Sequence, residues 1–169
     1  MTKLSNSSKA AVIYEKGTPD VFKWESFEVP NPKNKEVRLK NTAIGVNYID
    51  TYHRRGMPHP WPVPELPLVL GIEGVSVVEE LGSEVTEFSV GDRVAYALPP
   101  HGAYSQERVY PVDKLLKVPN SLSNQSDKDL AALMLKGLTA QFLLRRTYFV
   151  KPGDIILVHA AAGGMGLIL

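Results

Sequence analysis

Cysteine is absent from the 169 residues. That absence excludes disulfides, cysteine-held zinc and a thiol nucleophile, and it fits a reducing compartment. A charge excess of either sign is missing as well: 19 Lys and Arg stand against 18 Asp and Glu, a net charge of +1. Nucleic acid and anionic membrane surfaces both need clustered positive charge. The only basic doublets, Arg54-Arg55 and Arg145-Arg146, lie in no longer basic run. Neither partner is expected. No apolar run approaches the roughly 18 residues of a membrane span. The polar start, Met1 to Ser8, has no apolar signal-peptide core. The expected location is the cytoplasm.

What is present suits an ordinary globular chain. Hydrophobic residues make up 44% and charged residues 22%, enough to build a core. After an expected loose tail at Met1 to Ser8, short apolar segments recur with turn signals between them. Ala10 to Tyr14 and Phe22 to Val29 read as strands, the second closed by Pro30-Asn31-Pro32. Val37, Leu39 and Asn41 alternate with Arg38, Lys40 and Thr42, the period-two pattern of a half-buried antiparallel strand that Ala43 to Val46 continues inward. Further strands are expected from Gly71 to Leu81, from Val90 through Ala97, from Ala103 to Tyr110 and from Leu115 to Val118. Strands of this length and spacing imply a mostly antiparallel sandwich or barrel.

Two segments interrupt that texture. Asn47 to Arg55 packs many polar groups into one short helical stretch, ended by Gly56. Between Pro58 and Pro67 a proline sits at nearly every second position, around Trp61, which predicts a stiff surface loop near polyproline II geometry. Past Ser121 the pattern turns helical. Ser123 or Ser126 can cap a helix that Asp127 and Asp129 favour near its start. Leu130, Leu133 and Met134 follow helical spacing. Gly137 is expected to break or bend the helix before a second one at Thr139 to Arg146.

Gly153 to Leu169 then carries a different signal. Ile155 to Val158 is a short, β-branched apolar run of the kind buried on both faces of a parallel sheet. Small residues follow, and Ala161, Gly163 and Gly166 fall on the three slots of Gly-x-Gly-x-x-Gly. In that motif the second glycine lets backbone approach a pyrophosphate and the third lets the next helix pack close. The helix, the next strand and a ribose-binding acid about 20 residues on are not in the sequence, so only the opening of a dinucleotide-binding domain is expected.

Five segments together resemble one family: Gly45-Val46-Asn47-Tyr48-Ile49-Asp50-Thr51-Tyr52, Val90-Gly91-Asp92-Arg93-Val94, Gly102-Ala103-Tyr104-Ser105, Leu135-Lys136-Gly137-Leu138-Thr139-Ala140 and His159 to Gly166. In order and spacing they are similar to the zinc-independent, zeta-crystallin-like quinone oxidoreductases of the medium-chain dehydrogenase/reductase family. The resemblance implies a mainly β fold with α: a GroES-like, partly open β-barrel over residues 1–122. Residues 123–169 would hold the connector helices and only the first strand and Gly-rich turn of a Rossmann domain. It implies NADPH as cofactor, a quinone as small-molecule substrate, and a homodimer for the complete enzyme. Asn47 stands where zinc alcohol dehydrogenases of the wider superfamily have a cysteine, and Gly71-Ile72-Glu73 where they have Gly-His-Glu, so the resemblance implies a zinc-independent enzyme with no metal site.

The same resemblance assigns cofactor contacts to Asn47, Tyr48, Tyr52, Thr139, Gly163, Gly164, Met165 and Gly166. Plainer readings stand beside them. Asn47 could simply cap a short helix, and Thr139 could bond its own helix backbone. The histidines, His53, His59 and His101 among them, are expected to lie apart in loops. The proline segment with Trp61 could line a quinone entrance or be a plain surface loop. Two functions therefore remain: the N-terminal portion of a quinone reductase, inactive as this fragment alone, or a stand-alone, non-catalytic GroES-like binding module.

Overall fold

The computed structural model describes residues 7–58 and 65–169. The proline segment, with His59 and Trp61, falls largely on residues 59–64, outside the described residues, as do residues 1–6 of the expected tail. Ser7 and Ser8 are not tail: they open the first strand.

Eight strands and two α-helices form among the described residues. The strands are β1 (Ser7–Ile13), β2 (Lys23–Glu28), β3 (Glu36–Gly45), β4 (Leu68–Val69), β5 (Glu73–Leu81), β6 (Arg93–Tyr96), β7 (Glu107–Pro111) and β8 (Leu116–Lys117). They make a three-stranded sheet in the order β2-β1-β4 and a five-stranded sheet in the order β7-β3-β5-β6-β8, with every pairing antiparallel. A single bridge, Ala10 to Ser105, links the two. The Ala11 N–H also donates to the Tyr104 carbonyl at 2.8 Å. The result is a partly open barrel, as expected, its sheets joined without closing into one cylinder. Val37, Leu39, Val78, Val94, Tyr96 and Tyr110 form the main core inside it.

The alternation in β3 holds only in part. Val37 and Leu39 point into the core, yet Arg38, expected on a wet face, is buried as well. Its neighbour β7 explains this: Glu107 accepts from Arg38 Nε at 3.0 Å and Nη2 at 2.9 Å. A buried cation is tolerable when it is paired and hydrogen-bonded in this way.

Helix α1 (Tyr48–Arg55) follows β3 directly. The Asp50 carboxylate reaches back to accept from the Asn47 N–H at 2.9 Å, and Gly56 ends the helix in the left-handed region at φ +66°. Helix α2 (Asp127–Phe142) starts at Ser126, whose Oγ accepts from the Asp129 N–H. Gly137 does not break it. The helix runs through that position as one element and widens only at Leu143–Thr147. No helix among the described residues is long and apolar enough to cross a membrane.

The expected strand at Ile155 to Val158 does not form. Ile155 is fully exposed and Leu157 nearly so. A strand of a parallel sheet takes its hydrogen bonds from neighbouring strands, and none lies beside this segment among the described residues. Nor does the Gly-rich turn open a helix. Gly163 accepts from the Leu167 N–H at 3.0 Å and Met165 from the Leu169 N–H at 3.1 Å, a single turn's worth of helical bonds.

Candidate functional site

The chain leaves β3 through Gly45, Val46 and Asn47, and this exit builds the site. Asn47 is extended at φ −124° and buried. Its side-chain amide donates from Nδ2 to Glu73 Oε2 at 2.6 Å, while its Oδ1 accepts from Lys136 Nζ at 3.3 Å. Glu73, at the start of β5, is completely buried. Its other oxygen accepts the Leu135 N–H of α2 at 2.6 Å. Gly45 leaves the room: a Cβ there would fall 2.1 Å from Glu73 Oε2 and 2.5 Å from the Ala131 carbonyl. One carboxylate and one amide thus tie together β3, β5, α1 and α2.

One turn along, Asp50 takes the Asn47 N–H and the Tyr104 hydroxyl, at 2.9 and 2.8 Å, on the same oxygen. Burial raises the Asp50 carboxyl above the ordinary carboxylate range, against the pull of those two donors and of the charges on His53 and Lys136. Burial and the neighbouring Asp50 push the Tyr104 phenol strongly upward. Asn47, Asp50, Thr51 and Arg54, one face of α1, line an open, mostly apolar cavity of about 520 Å³ with Phe22 and Trp24 across it.

The other residues expected at the site fall into two places. Tyr48 lies exposed on the far side of α1 and meets Tyr52 edge-on, ring centroids 5.3 Å apart. Thr139 donates from Oγ1 to the Leu135 carbonyl at 2.7 Å, which is the backbone bond of its plainer reading. Thr139 and Met165 share a cleft of about 400 Å³ with Leu143, Tyr148 and His159. Lys136 lies between Asn47 and the Gly-rich turn. Its ammonium bonds Asn47, and its Cε lies 3.0 Å from where a Gly164 Cβ would stand. Gly166 is packed still closer, since a Cβ there would sit 2.4 Å from Ala161 Cα. The Gly-rich turn, at Gly164, and Asn47 therefore both lie against the distal end of one side chain, that of Lys136.

Neither Lys136 nor Glu73 was singled out by sequence reasoning, although both stand in quoted motifs. Each reaches Asn47 from a distant part of the chain, and spacing cannot show such a contact. The one available signal was a charged residue inside an otherwise small and apolar stretch, Leu135-Lys136-Gly137-Leu138.

The histidines also depart from expectation. His53 and His101 are not apart: Nδ1 of the first lies 2.9 Å from Nε2 of the second, with the rings edge-on at 4.5 Å. Helix α1 and the turn before Ala103 bring them together, and no sequence period links the two. One imidazole donates and the other accepts, which holds only if the accepting nitrogen carries no proton. Burial, His53 and Arg108 lower the His101 pKa to about 4. Among the described residues no three His, Asp or Glu side chains gather as a metal site.

Residues 33–120 match the family described as the alcohol dehydrogenase GroES-like domain. A 2-haloacrylate reductase from a Burkholderia species is 61% identical over 160 residues, covering 95% of this chain and 48% of that protein. A quinone oxidoreductase of Pseudomonas aeruginosa is 50% identical over 151 residues, covering 89% of this chain and 45% of that protein. Among solved structures, Escherichia coli quinone oxidoreductase complexed with NADPH superposes with a TM-score of 0.88 at 41% identity, over 95% of this chain and 48% of that one. The chain spans about half the length of the curated relatives it matches.

Proposed function

Because this chain belongs to the alcohol dehydrogenase GroES-like domain family, we propose that it is the N-terminal portion of an oxidoreductase that passes reducing equivalents from NADPH to a quinone without zinc. Residues 1–122 are the substrate-side domain in this reading, and residues 123–169 are the connector and the opening of the nucleotide-binding domain. The observation that carries it is the convergence on Lys136, which links the buried Asn47 amide to the Gly-rich turn.

The residues fit the cofactor. Gly163, in the slot where backbone meets the pyrophosphate, puts no side chain in the way, and the turn closes tightly behind it, since a Cβ on Gly166 would sit 2.4 Å from Ala161 Cα. Asn47, Tyr48, Tyr52 and Thr139 would hold the nicotinamide side, and Gly163, Gly164, Met165 and Gly166 the pyrophosphate. Bound NADPH supplies the hydride, and the protein's share is orientation and electrostatics. In that share, the Asn47 amide is held rigid by Glu73 and Lys136. Lys136 contributes a fixed positive charge, and the exposed Tyr48 offers its phenol.

A second substrate class has its own support. The 61% identical relative is a 2-haloacrylate reductase, and an ammonium such as Lys136 is a suitable partner for a carboxylate. An NADPH-oxidation assay on the complete protein, with a panel of quinones and with 2-chloroacrylate, separates the readings. Turnover with quinones is the expected result, and preferential turnover with the haloacrylate moves the assignment to the second class. No turnover with either, in a folded protein, would leave a non-catalytic GroES-like module. The 169-residue chain assayed alone is expected to be inactive.

A further inference from the structure

We infer that Glu73 is a positioning residue for the nicotinamide side of the site: its buried carboxylate fixes which way the Asn47 amide faces and locks that amide, with Lys136, to helix α2. The inference rests on the proposed role of Asn47 in holding the cofactor.

Glu73 has no solvent exposure. A carboxylate in such a place is costly unless its oxygens are satisfied. Both are: Oε2 by the Asn47 amide and Oε1 by the Leu135 N–H, each at 2.6 Å, short as charge-assisted bonds are. An amide can be built either way round, but here its neighbours leave one choice. The carboxylate only accepts, so Asn47 must turn Nδ2 toward it; the ammonium only donates, so Oδ1 must face Lys136. The backbone is shaped around the same carboxylate, because any side chain at position 45 would collide with it. Helix α2 gives up a mid-helix N–H to it, at the residue beside Lys136 and one turn before Thr139. A group meant only to fill the core would be apolar and cheaper. The carboxylate instead sets hydrogen-bond polarity at one point, where α1 and α2 meet.

Polarity can be reversed, which gives the test. Glu73→Gln presents an NH2 to either the Asn47 amide or the Leu135 N–H, so one donor faces another. Asn47→Asp sets two carboxylates against each other. In the double variant the new amide at position 73 can donate to the new carboxylate at position 47 and accept from the Leu135 N–H. That carboxylate still accepts from Lys136, so every contact is satisfied again, with the bond between positions 47 and 73 reversed in direction.

The experiment compares the wild type, both single variants and the double variant in the complete protein. It reads the melting temperature, the side-chain amide NMR signal of Asn47, and kcat and KM for NADPH. The expected result is a melting temperature lowered in each single variant and recovered in the double. In Glu73→Gln the Asn47 amide signal, shifted by its carboxylate bond in the wild type, moves or broadens. KM for NADPH rises about tenfold in that variant, with a smaller change in kcat. Additive losses in the double variant, or an unmoved amide signal in Glu73→Gln, overturn the positioning role. Recovered stability with KM for NADPH at the wild-type value in all three variants leaves the network standing but removes Asn47 from the cofactor site, and with it the inference.

Discussion

At the scale of single residues, the polar groups near α1 are held by partners rather than by solvent, and the His53–His101 pair shows the consequence most clearly. With its pKa lowered to about 4, His101 stays neutral in the folded protein where an unfolded histidine, near 6.5, takes up a proton. The unfolded chain therefore binds more protons as the pH falls from about 6.5 towards 4, and stability falls with it. Above 6.5 the contribution is constant. Because His101 is only partly shielded from water, the loss amounts to about 1 kcal/mol after allowance for solvent screening. Thermal melts at pH 7.5 and pH 5 are expected to show a lower melting temperature at pH 5. His101→Gln should shrink that difference; an equal difference in the variant would contradict the assignment.

At the scale of elements, two glycines make opposite predictions. Gly45 sits against Glu73 and the Ala131 carbonyl, whereas nothing lies within 4 Å of a Cβ on Gly137 in the middle of α2. Gly45→Ala should destabilise the protein by about 1 to 3 kcal/mol, the usual cost of overpacking. Gly137→Ala should stabilise it by about 0.5 to 1 kcal/mol through helix propensity. Denaturant titration of both variants measures the two effects. The contrast also marks what was legible in the sequence. Strand alternation, turn residues and the Ser126 cap are local patterns, and they place β1, β2, β3, β5, β6, β7, β8 and both helices. Propensity alone makes Gly137 a break or a bend, because it counts only the residue and not the helix around it. Ile155 to Val158 has the composition of a strand, and composition carries no record of whether a neighbour is there to pair with it. β4, at two residues, is too short to show a period. In the site, Asn47 was legible as a polar residue at a helix start. Its orientation depends on Glu73 and Lys136, which reach it only through the packing of β5 and α2.

At the scale of the whole molecule, the barrel exit at Asn47 and the Gly-rich turn at Gly164 come together around the ammonium end of Lys136. Apolar side chains left uncovered at the far end, Ile155, Leu157 and Leu167 among them, fit a chain about half as long as the relatives it matches. In the proposed reading Asn47 and Tyr52 serve the cofactor and not merely helix α1. A buried hydrogen-bonding group left without its partner costs about 1 to 3 kcal/mol, and each 1.4 kcal/mol is a factor of about ten in rate or affinity. The decisive measurement is steady-state NADPH kinetics together with thermal stability for Asn47→Ala, Tyr52→Phe and Tyr52→Ala in the complete protein. Per folded molecule, kcat/KM for NADPH is expected to be about tenfold lower in Asn47→Ala, and lower in Tyr52→Ala than in Tyr52→Phe. Normal kinetics in both alanine variants, with only the melting temperature reduced, would contradict that reading.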